Sequence, residues 1–223
     1  MPEVIGAPVS PFRSGRLVGY REHHDISGIL TPPVKSLRMI VYLHGFNSSP
    51  SSGKARQLGD YMASLGRPDE YYCPALPNSP REAITKIESA LVRSQPDSVT
   101  LVGSSLGGFY ATCLAEKHGW KAVLVNPAVH AHKLLQVALG TQTNWHTGEK
   151  WVLTEAHLAE LAALDVVRIT RPERYLLMLQ TGDEVLDYRD ALSYYTGARH
   201  IVETGGDHGF TGFERHLPLI LDF

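Results

Sequence analysis

The pentapeptide Gly103-Ser104-Ser105-Leu106-Gly107 follows directly on the apolar run 99–102, and this arrangement constrains the chain most. A buried strand that breaks into Gly-x-Ser-x-Gly and continues as a helix is typical of the nucleophile elbow of serine hydrolases. Such a turn holds its central serine in a strained backbone conformation, and its glycines let the strand and helix approach closely. Ser105 is therefore a candidate nucleophile. The alternative is a glycine-rich turn that merely contains serines.

Apolar segments of strand length alternate with helical segments along most of the chain. Apolar runs separated in this way predict a mostly parallel central sheet with helices on both faces, an α/β fold. The predicted strands cover 37–43, 70–73, 98–102, 121–125, 174–180 and 199–203. The predicted helices cover 52–65, 81–93, 106–118, 188–195 and 213–223.

Two segments depart from the alternation and suggest the domain organisation. Residues 1–36 are rich in proline and glycine and are predicted to form an extended arm, with a candidate short edge strand at 16–20. Residues 37–223 form the predicted α/β domain. Within this domain, residues 128–172 are predicted to form a small lid-like insertion, with helices at 131–139 and 154–164 on either side of a polar loop at 140–149. An ordinary crossover with a long loop is the equal alternative.

Composition excludes several classes of function. The formal net charge of −2 gives no electrostatic reason to expect a nucleic acid as partner. No apolar run approaches the roughly 20 residues that span a bilayer, and the start at 1–4 lacks the pattern of a signal peptide. Cys73 and Cys113 read as small core residues rather than as a disulfide. These features predict a protein of the reducing cytoplasm.

A serine nucleophile needs a base and an acid, and suitable residues follow Ser105 in the order acid, then histidine. His208 lies in a glycine-rich loop between the last predicted strand and the last helix, where it can reach the elbow. Asp183 follows the strand that ends at Gln180 and is the preferred acid. Asp187 is the second candidate, although it is also placed to cap the next helix.

Two further carboxylates near these residues are weaker candidates. The longer side chain of Glu184 is expected to point outward. Asp207 is adjacent to His208, so the two side chains diverge, and Asp207 is expected to hold the loop instead.

Acyl transfer also needs donors for an oxyanion. The backbone N–H of Leu106, at the start of a helix, is one candidate. The N–H of Phe46 is the second, because Gly45 permits a turn after the strand that ends near residue 43. His44 is expected to brace this loop rather than to act as a second base or a metal ligand.

No cofactor or metal is predicted. The clusters His23-His24-Asp25 and His130-Ala131-His132 lack partner ligands at a suitable spacing. The glycines at 103–108 match neither a phosphate loop nor a dinucleotide fingerprint. Aromatic candidates for the wall of a substrate pocket are Tyr61, Trp145, Trp151 and Phe210.

Taken together, these motifs resemble the α/β-hydrolase superfamily and, within it, the small bacterial esterases of the YqiA/YcfP type. The resembling segments are 42–50, 103–108, 126–129, 179–188 and 205–208, within a match that runs from about residue 39 to the C-terminus. The resemblance implies an esterase or thioesterase acting on acyl esters or acyl-CoA, with Ser105 as nucleophile, Asp183 as acid and His208 as base. It implies nothing about residues 1–36.

The expected function is therefore hydrolysis of small-molecule carboxylic esters or thioesters through an acyl-enzyme intermediate. Two alternatives stay open. One is a non-catalytic protein of the same fold that binds a ligand or partner. The other is an acyltransferase that uses the same triad. The sequence leaves the oligomeric state unknown.

Overall fold

The computed structural model describes residues 38–223, and the predicted edge strand at 16–20 lies outside this range. Within it, the strands β1 to β8 are Met39–Leu43, Tyr71–Tyr72, Val99–Ser105, Lys121–Pro127, Gly140–Thr143, Lys150–Leu153, Tyr175–Gln180 and Arg199–Glu203. The helices α1 to α7 are Gly53–Ser64, Pro80–Leu91, Leu106–His118, Ala131–Leu134, Glu155–Leu164, Tyr188–Tyr194 and Leu217–Asp222.

Six of the strands form one sheet in the order β2-β1-β3-β4-β7-β8, and every neighbouring pair is parallel. From β1 the chain adds β2 on one side of the sheet and then β3, β4, β7 and β8 on the other, so the strand order reverses between β1 and β3. The loops that follow these two strands meet at the carboxyl edge of the sheet at this point. Ser105 ends β3 at this edge. The sheet thus confirms the predicted α/β fold and places the elbow where a binding crevice is expected.

Two hydrophobic cores cover the sheet, one on each face. Alternate residues of a strand point to opposite faces, so Val41 and Leu43 pack into one core and Ile40 and Tyr42 into the other. Helices α2, α3 and α6 supply the first core, and α1 and α7 supply the second. The central strands β1, β3, β4 and β7 are largely apolar because both of their faces are buried.

The insertion differs from its prediction. The polar stretch predicted as a loop is a β-hairpin, in which β5 and β6 pair antiparallel from Gly140↔Leu153 to Thr143↔Lys150. The predicted helix 131–139 is one α-helical turn, α4, followed by a 3-10 turn at Leu135–Ala138. The hairpin escaped prediction because each strand has only four residues, β5 is polar, and neither strand has a clear alternation of polar and apolar residues.

Two other elements are shorter than expected. The strand predicted at 70–73 pairs only over Tyr71–Tyr72. The helix predicted at 213–223 divides into a 3-10 turn at Phe213–His216 and the helix α7, whose first turn contains Pro218. Proline lacks a backbone N–H and is tolerated in the first turn of a helix, so α7 begins at this point.

Cys73 and Cys113 are free thiols, as predicted. Cys113 packs against the core on one face of the sheet and Cys73 against the core on the other, so the sheet separates them. None of the helices in the described part of the chain is long and apolar enough to cross a membrane.

Candidate active site

Ser105 occupies a strained turn between β3 and α3. Its backbone has φ 54° and ψ −122°, in a region that side-chain-bearing residues rarely adopt. The flanking glycines make the turn possible: a Cβ atom at Gly103 would lie 2.3 Å from the carbonyl oxygen of Gly107, and one at Gly107 would lie 1.9 Å from that of Leu43. The strand–turn–helix predicted from the pentapeptide is confirmed, and it leaves Ser105 at the wall of a cavity.

The loop after β1 lies directly against this serine. A Cβ atom at Gly45 would lie 3.3 Å from the Cβ and 3.7 Å from the Oγ of Ser105. Phe46 and Leu106 both line the cavity beside Ser105. Leu106 is the first residue of α3, where a backbone N–H has no acceptor in a preceding helical turn. The two proposed oxyanion donors therefore belong to segments that flank the Ser105 hydroxyl.

His44 braces this loop from behind. Its ring is buried, Nε2 accepts a hydrogen bond from the Leu76 N–H at 3.1 Å, and Nδ1 lies 3.1 Å from the Gly45 carbonyl oxygen, to which it donates. Burial lowers the pKa of His44. Both ring nitrogens of the neutral imidazole are thus engaged in hydrogen bonds, so His44 has no free nitrogen with which to act as a second base.

His208 and Asp183 meet across the loops that follow β8 and β7. His208 Nδ1 lies 3.0 Å from Asp183 Oδ1 and 2.9 Å from Oδ2. Only 2% of the Asp183 side chain is exposed, and its Oδ1 also accepts the N–H groups of Val185 and Leu186 at 2.9 Å. An ionised carboxylate only accepts, so Nδ1 is the donor, and in the neutral imidazole this tautomer leaves Nε2 as the nitrogen that can act as a base.

The structure brings Ser105 and His208 to the same cavity. No hydrogen bond joins their side chains among the interactions of residues 38–223. Catalytic hydrogen bonds are often long without substrate and tighten when it binds.

The other carboxylates around this histidine have separate contacts. Asp187 is the N-cap of α6, accepts the Arg189 N–H at 2.9 Å and pairs with the Arg189 guanidinium, which together hold its pKa at about 2. Asp207 accepts the Thr211 hydroxyl at 2.6 Å. Glu184 is exposed, and its Oε2 accepts the His208 N–H at 3.0 Å.

Two buried polar residues that sequence reasoning missed hold the histidine loop. Asn126, the next-to-last residue of β4, has φ 41°, accepts the Gln180 N–H and donates its amide to the carbonyl oxygens of Asp207 and His208. Gln180 ends β7, and its Oε1 accepts the Asp207 N–H at 3.1 Å. A polar residue within the last two positions of an apolar strand is the signal that could have identified both.

The cavity around Ser105 has a volume of about 760 Å³. Apolar side chains at its mouth are largely exposed: Val137 by 95%, Trp145 by 74% and Val185 by 61%. Phe210 and Trp145, two of the aromatic residues considered for the pocket wall, line the cavity, whereas Tyr61 packs beside the core under α1 and Trp151 packs on Phe46. The insertion thus supplies part of the wall and the rim.

The hairpin is joined to the loop after β1 through Asn47. Its Oδ1 accepts the Trp151 Nε1–H at 2.8 Å, its Nδ2 donates to Gln142 Oε1 at 3.0 Å, and its carbonyl oxygen accepts the Trp145 N–H at 2.9 Å. The Trp151 ring packs edge-on against Phe46 with centroids 5.6 Å apart. The hairpin and the proposed oxyanion loop are therefore joined by hydrogen bonds through Asn47.

Of the two histidine clusters considered as metal ligands, only 130–132 lies in the described part of the chain. His23-His24-Asp25 lies outside the described residues. His130 Nδ1 lies 2.7 Å from Asp165 Oδ2, and His132 Nδ1 lies 3.8 Å from the same oxygen. In residues 38–223 no group of three or more histidine, cysteine, aspartate or glutamate side chains could hold a metal ion.

A parallel sheet in this order, with a serine at a strained strand-to-helix turn and a histidine on the loop after the last strand, defines the α/β-hydrolase fold. Alpha/beta hydrolase domain-containing protein 10 from mouse has this fold, with a TM-score of 0.63 at 17% identity over 82% of this chain and 87% of that chain. The esterase domain of a Rhodothermus marinus protein gives a TM-score of 0.56 at 16% identity over 85% of each chain.

The chain belongs to the uncharacterised protein family UPF0227, whose model matches residues 39–223. A UPF0227 protein of a Shewanella species (strain MR-4) is 26% identical over 191 residues, which cover 83% of this chain and 98% of that protein. The family and the structural neighbours confirm the resemblance to YqiA-like α/β hydrolases that the sequence motifs indicated.

Proposed function

We propose that this protein is a serine hydrolase that cleaves carboxylic esters or thioesters through an acyl-enzyme intermediate. One observation carries the proposal: a strained Ser105 shares a cavity with His208, whose Nδ1 is held at 2.9 Å by the buried carboxylate of Asp183. A serine hydroxyl is a weak nucleophile without such a base, and the base needs an orienting carboxylate. The fold family and its esterase-containing neighbours support the same class of reaction.

In the first step, His208 Nε2 takes the proton of Ser105 as Oγ attacks the carbonyl carbon. The carbonyl oxygen becomes an oxyanion, which the N–H groups of Phe46 and Leu106 stabilise. The bond to the alcohol or thiol then breaks, and His208 returns the proton to the leaving group. Asp183 keeps the imidazole oriented and stabilises the imidazolium that forms between these events.

In the second step, water replaces the leaving group. His208 takes a proton from the water, hydroxide attacks the acyl carbon, and Ser105 leaves with the proton from His208. No residue other than these supplies a proton, and the mechanism needs no cofactor.

Acyl esters or acyl thioesters such as acyl-CoA are the proposed substrates. The apolar rim of Val137, Trp145 and Val185 favours an acyl chain, because it offers hydrophobic surface beside the reacting centre. The cytoplasm is the proposed compartment, supported by the free thiols of both cysteines.

Labelling with a fluorophosphonate probe tests the nucleophile. We expect wild-type protein to be labelled and the modified peptide to contain Ser105. Ser105→Ala should lose both the label and turnover of p-nitrophenyl esters, whereas the matched control Ser104→Ala changes the neighbouring serine and should keep the label.

Two results would contradict the proposal. One is a folded wild-type protein that neither takes the label nor hydrolyses any ester in a chain-length series. The other is a Ser105→Ala variant that hydrolyses these esters at the wild-type rate. The first result would favour a non-catalytic binding protein.

A further inference from the structure

One cationic side chain lies in the wall of the catalytic cavity and takes no part in the proposed proton transfers. Lys54, in the first turn of α1, is half-buried, and it is the only lysine or arginine among the described residues that line the cavity. Its Nζ donates to the Gly209 carbonyl oxygen at 2.6 Å. No carboxylate oxygen of residues 38–223 lies within the 4.0 Å of an ion pair with it. Within the described residues, the Lys54 charge therefore has no ion-pair partner at the cavity wall.

Other polar side chains at the start of the same helix line the cavity. The Ser52 hydroxyl is one of them: its oxygen is buried and makes no hydrogen bond within 3.5 Å in the described part of the chain, although it lies close enough to the buried Tyr42 hydroxyl to lower the pKa of that group. Ser52 is the N-cap of α1, yet its side chain does not cap the helix, and the first turn holds no acidic residue. The amide of Gln57, one turn along α1, completes this side of the wall. Free donors at a helix N-terminus favour an anion.

Ionisable side chains approach Lys54 or share its cavity from four segments: the loop after β7, the loop after β8, the 3-10 turn at 213–216 and the hairpin. Burial lowers the pKa of Lys54 to about 8, while the negative charges of Asp207 and Asp183 act in the opposite direction. His208 and Glu214 line the same cavity, as does His146 at the tip of the hairpin. Asp207 is engaged with the Thr211 hydroxyl. A lysine that loses hydration without gaining an ion pair is destabilised until an anion binds.

We propose that Lys54, with the Ser52 hydroxyl and the start of α1, forms a subsite for an anionic group of the substrate, so that the enzyme prefers carboxylate- or phosphate-bearing esters to neutral ones. This inference rests on the proposed hydrolase function and narrows its substrate class. Lys54 contacts the backbone of Gly209, next to His208, and His208 protonates the leaving group. The geometry therefore favours an anion on the leaving-group side.

Matched pairs of esters test the subsite. On the leaving-group side, 4-(hexanoyloxy)benzoate is compared with the neutral 4-(hexanoyloxy)benzamide. On the acyl side, the mono-p-nitrophenyl esters of glutarate, adipate and suberate are compared with those of pentanoate, hexanoate and octanoate. The readout is the ratio of kcat/KM for the anionic ester to that for its neutral partner, which cancels effects common to both substrates.

We expect a ratio above one in wild type for at least one pair, and a fall of about tenfold or more in Lys54→Met. Lys54→Arg should retain most of the preference. The ratio should also fall as the pH rises through about 8, because Lys54 loses its charge there. The control is Lys86→Met, which removes an equal charge and a similar bond, from Nζ to the Ala75 carbonyl oxygen, outside the cavity. This variant should keep the wild-type ratio.

The outcomes distinguish failure of the anion subsite from failure of the proposed hydrolase function. If wild type hydrolyses the neutral esters but Lys54→Met slows both members of every pair equally, Lys54 only positions the His208 loop and the subsite is refuted. A wild-type ratio at or below one for every pair refutes it as well. If wild type hydrolyses neither class of ester, the hydrolase function fails and the subsite fails with it.

Discussion

Asp183 and Asp187 lie four residues apart in one loop, and their surroundings give them different roles. The Asp183 carboxylate is almost fully buried and faces His208 Nδ1, whereas 40% of the Asp187 side chain is exposed and it faces Arg189. The sequence offered both residues as the acid. The contacts favour Asp183 because only its oxygens reach the imidazole.

Replacing each aspartate separately tests this assignment at the residue scale. Asp183→Asn should lower kcat on the order of 10⁴-fold, since an amide would stabilise the wrong histidine tautomer. Asp187→Asn should change kcat little, because it alters only a helix cap on the surface. The measurement is p-nitrophenyl ester hydrolysis, with circular dichroism to verify folding. A larger loss in Asp187→Asn than in Asp183→Asn would contradict the assignment.

The hairpin of β5 and β6 acts at the scale of an element. Its turn contributes Trp145 and His146 to the cavity wall, and Asn47 bonds it to the loop that carries Phe46. Asn47 itself adopts φ 52°, a conformation in which asparagine is tolerated better than most residues. We infer that the hairpin holds the position of the proposed oxyanion donor.

Trp151→Phe tests this inference because it keeps an aromatic ring against Phe46 and removes the donor to Asn47 Oδ1. Leaving this part-buried acceptor unpaired should lower the free energy of unfolding by about 1 to 3 kcal/mol. Loosening of the oxyanion loop should lower kcat several-fold with little change in KM. Urea denaturation and ester kinetics provide the measurements. Trp145→Phe, which alters an exposed ring on the same hairpin, is the control for stability, and equal stabilities of the two variants would contradict the inference.

At the scale of the whole molecule, burial in the two cores controls how the protein responds to alkaline pH. Burial raises the pKa of both Cys73 and Cys113 from about 9 to about 11. Burial is also the main cause of a raised pKa in six tyrosines: Tyr42, Tyr71, Tyr110, Tyr175, Tyr194 and Tyr195. These groups stay protonated in the folded chain at a pH where the unfolded chain ionises.

The contribution of these groups to the free energy of unfolding should therefore be fully present below about pH 9. It should be lost progressively as the pH rises toward 11 and beyond. The sign follows because the unfolded state binds fewer protons than the folded state in this range. Urea denaturation at a series of pH values measures the slope, and ultraviolet absorbance follows tyrosinate formation. A variant with both cysteines changed to alanine should lose only the thiol part of the slope. A free energy of unfolding that stays constant across this range would show that these side chains are not buried as described.

Much of the fold could be predicted from the sequence because its signals are local. The apolar runs that became β3, β4 and β7 are buried on both faces, so hydrophobic pattern alone identifies them. The turn at Ser105 is specified by adjacent glycines that no other residue could replace at those distances. The hairpin had no such signal, because its two four-residue strands are stabilised by contacts with Asn47, about a hundred positions away in the chain.

The sequence by itself determined the α/β architecture, the strained serine and the order in which acid and histidine follow it, since each depends on neighbouring residues and chain direction. Only the tertiary structure decided which carboxylate faces His208, that Asn126 and Gln180 hold its loop, and that Lys54 lies in the cavity wall beside the Gly209 carbonyl oxygen. These relations join side chains from different loops at the carboxyl edge of the sheet. No local pattern records them, because they arise only when the parallel strands bring those loops together.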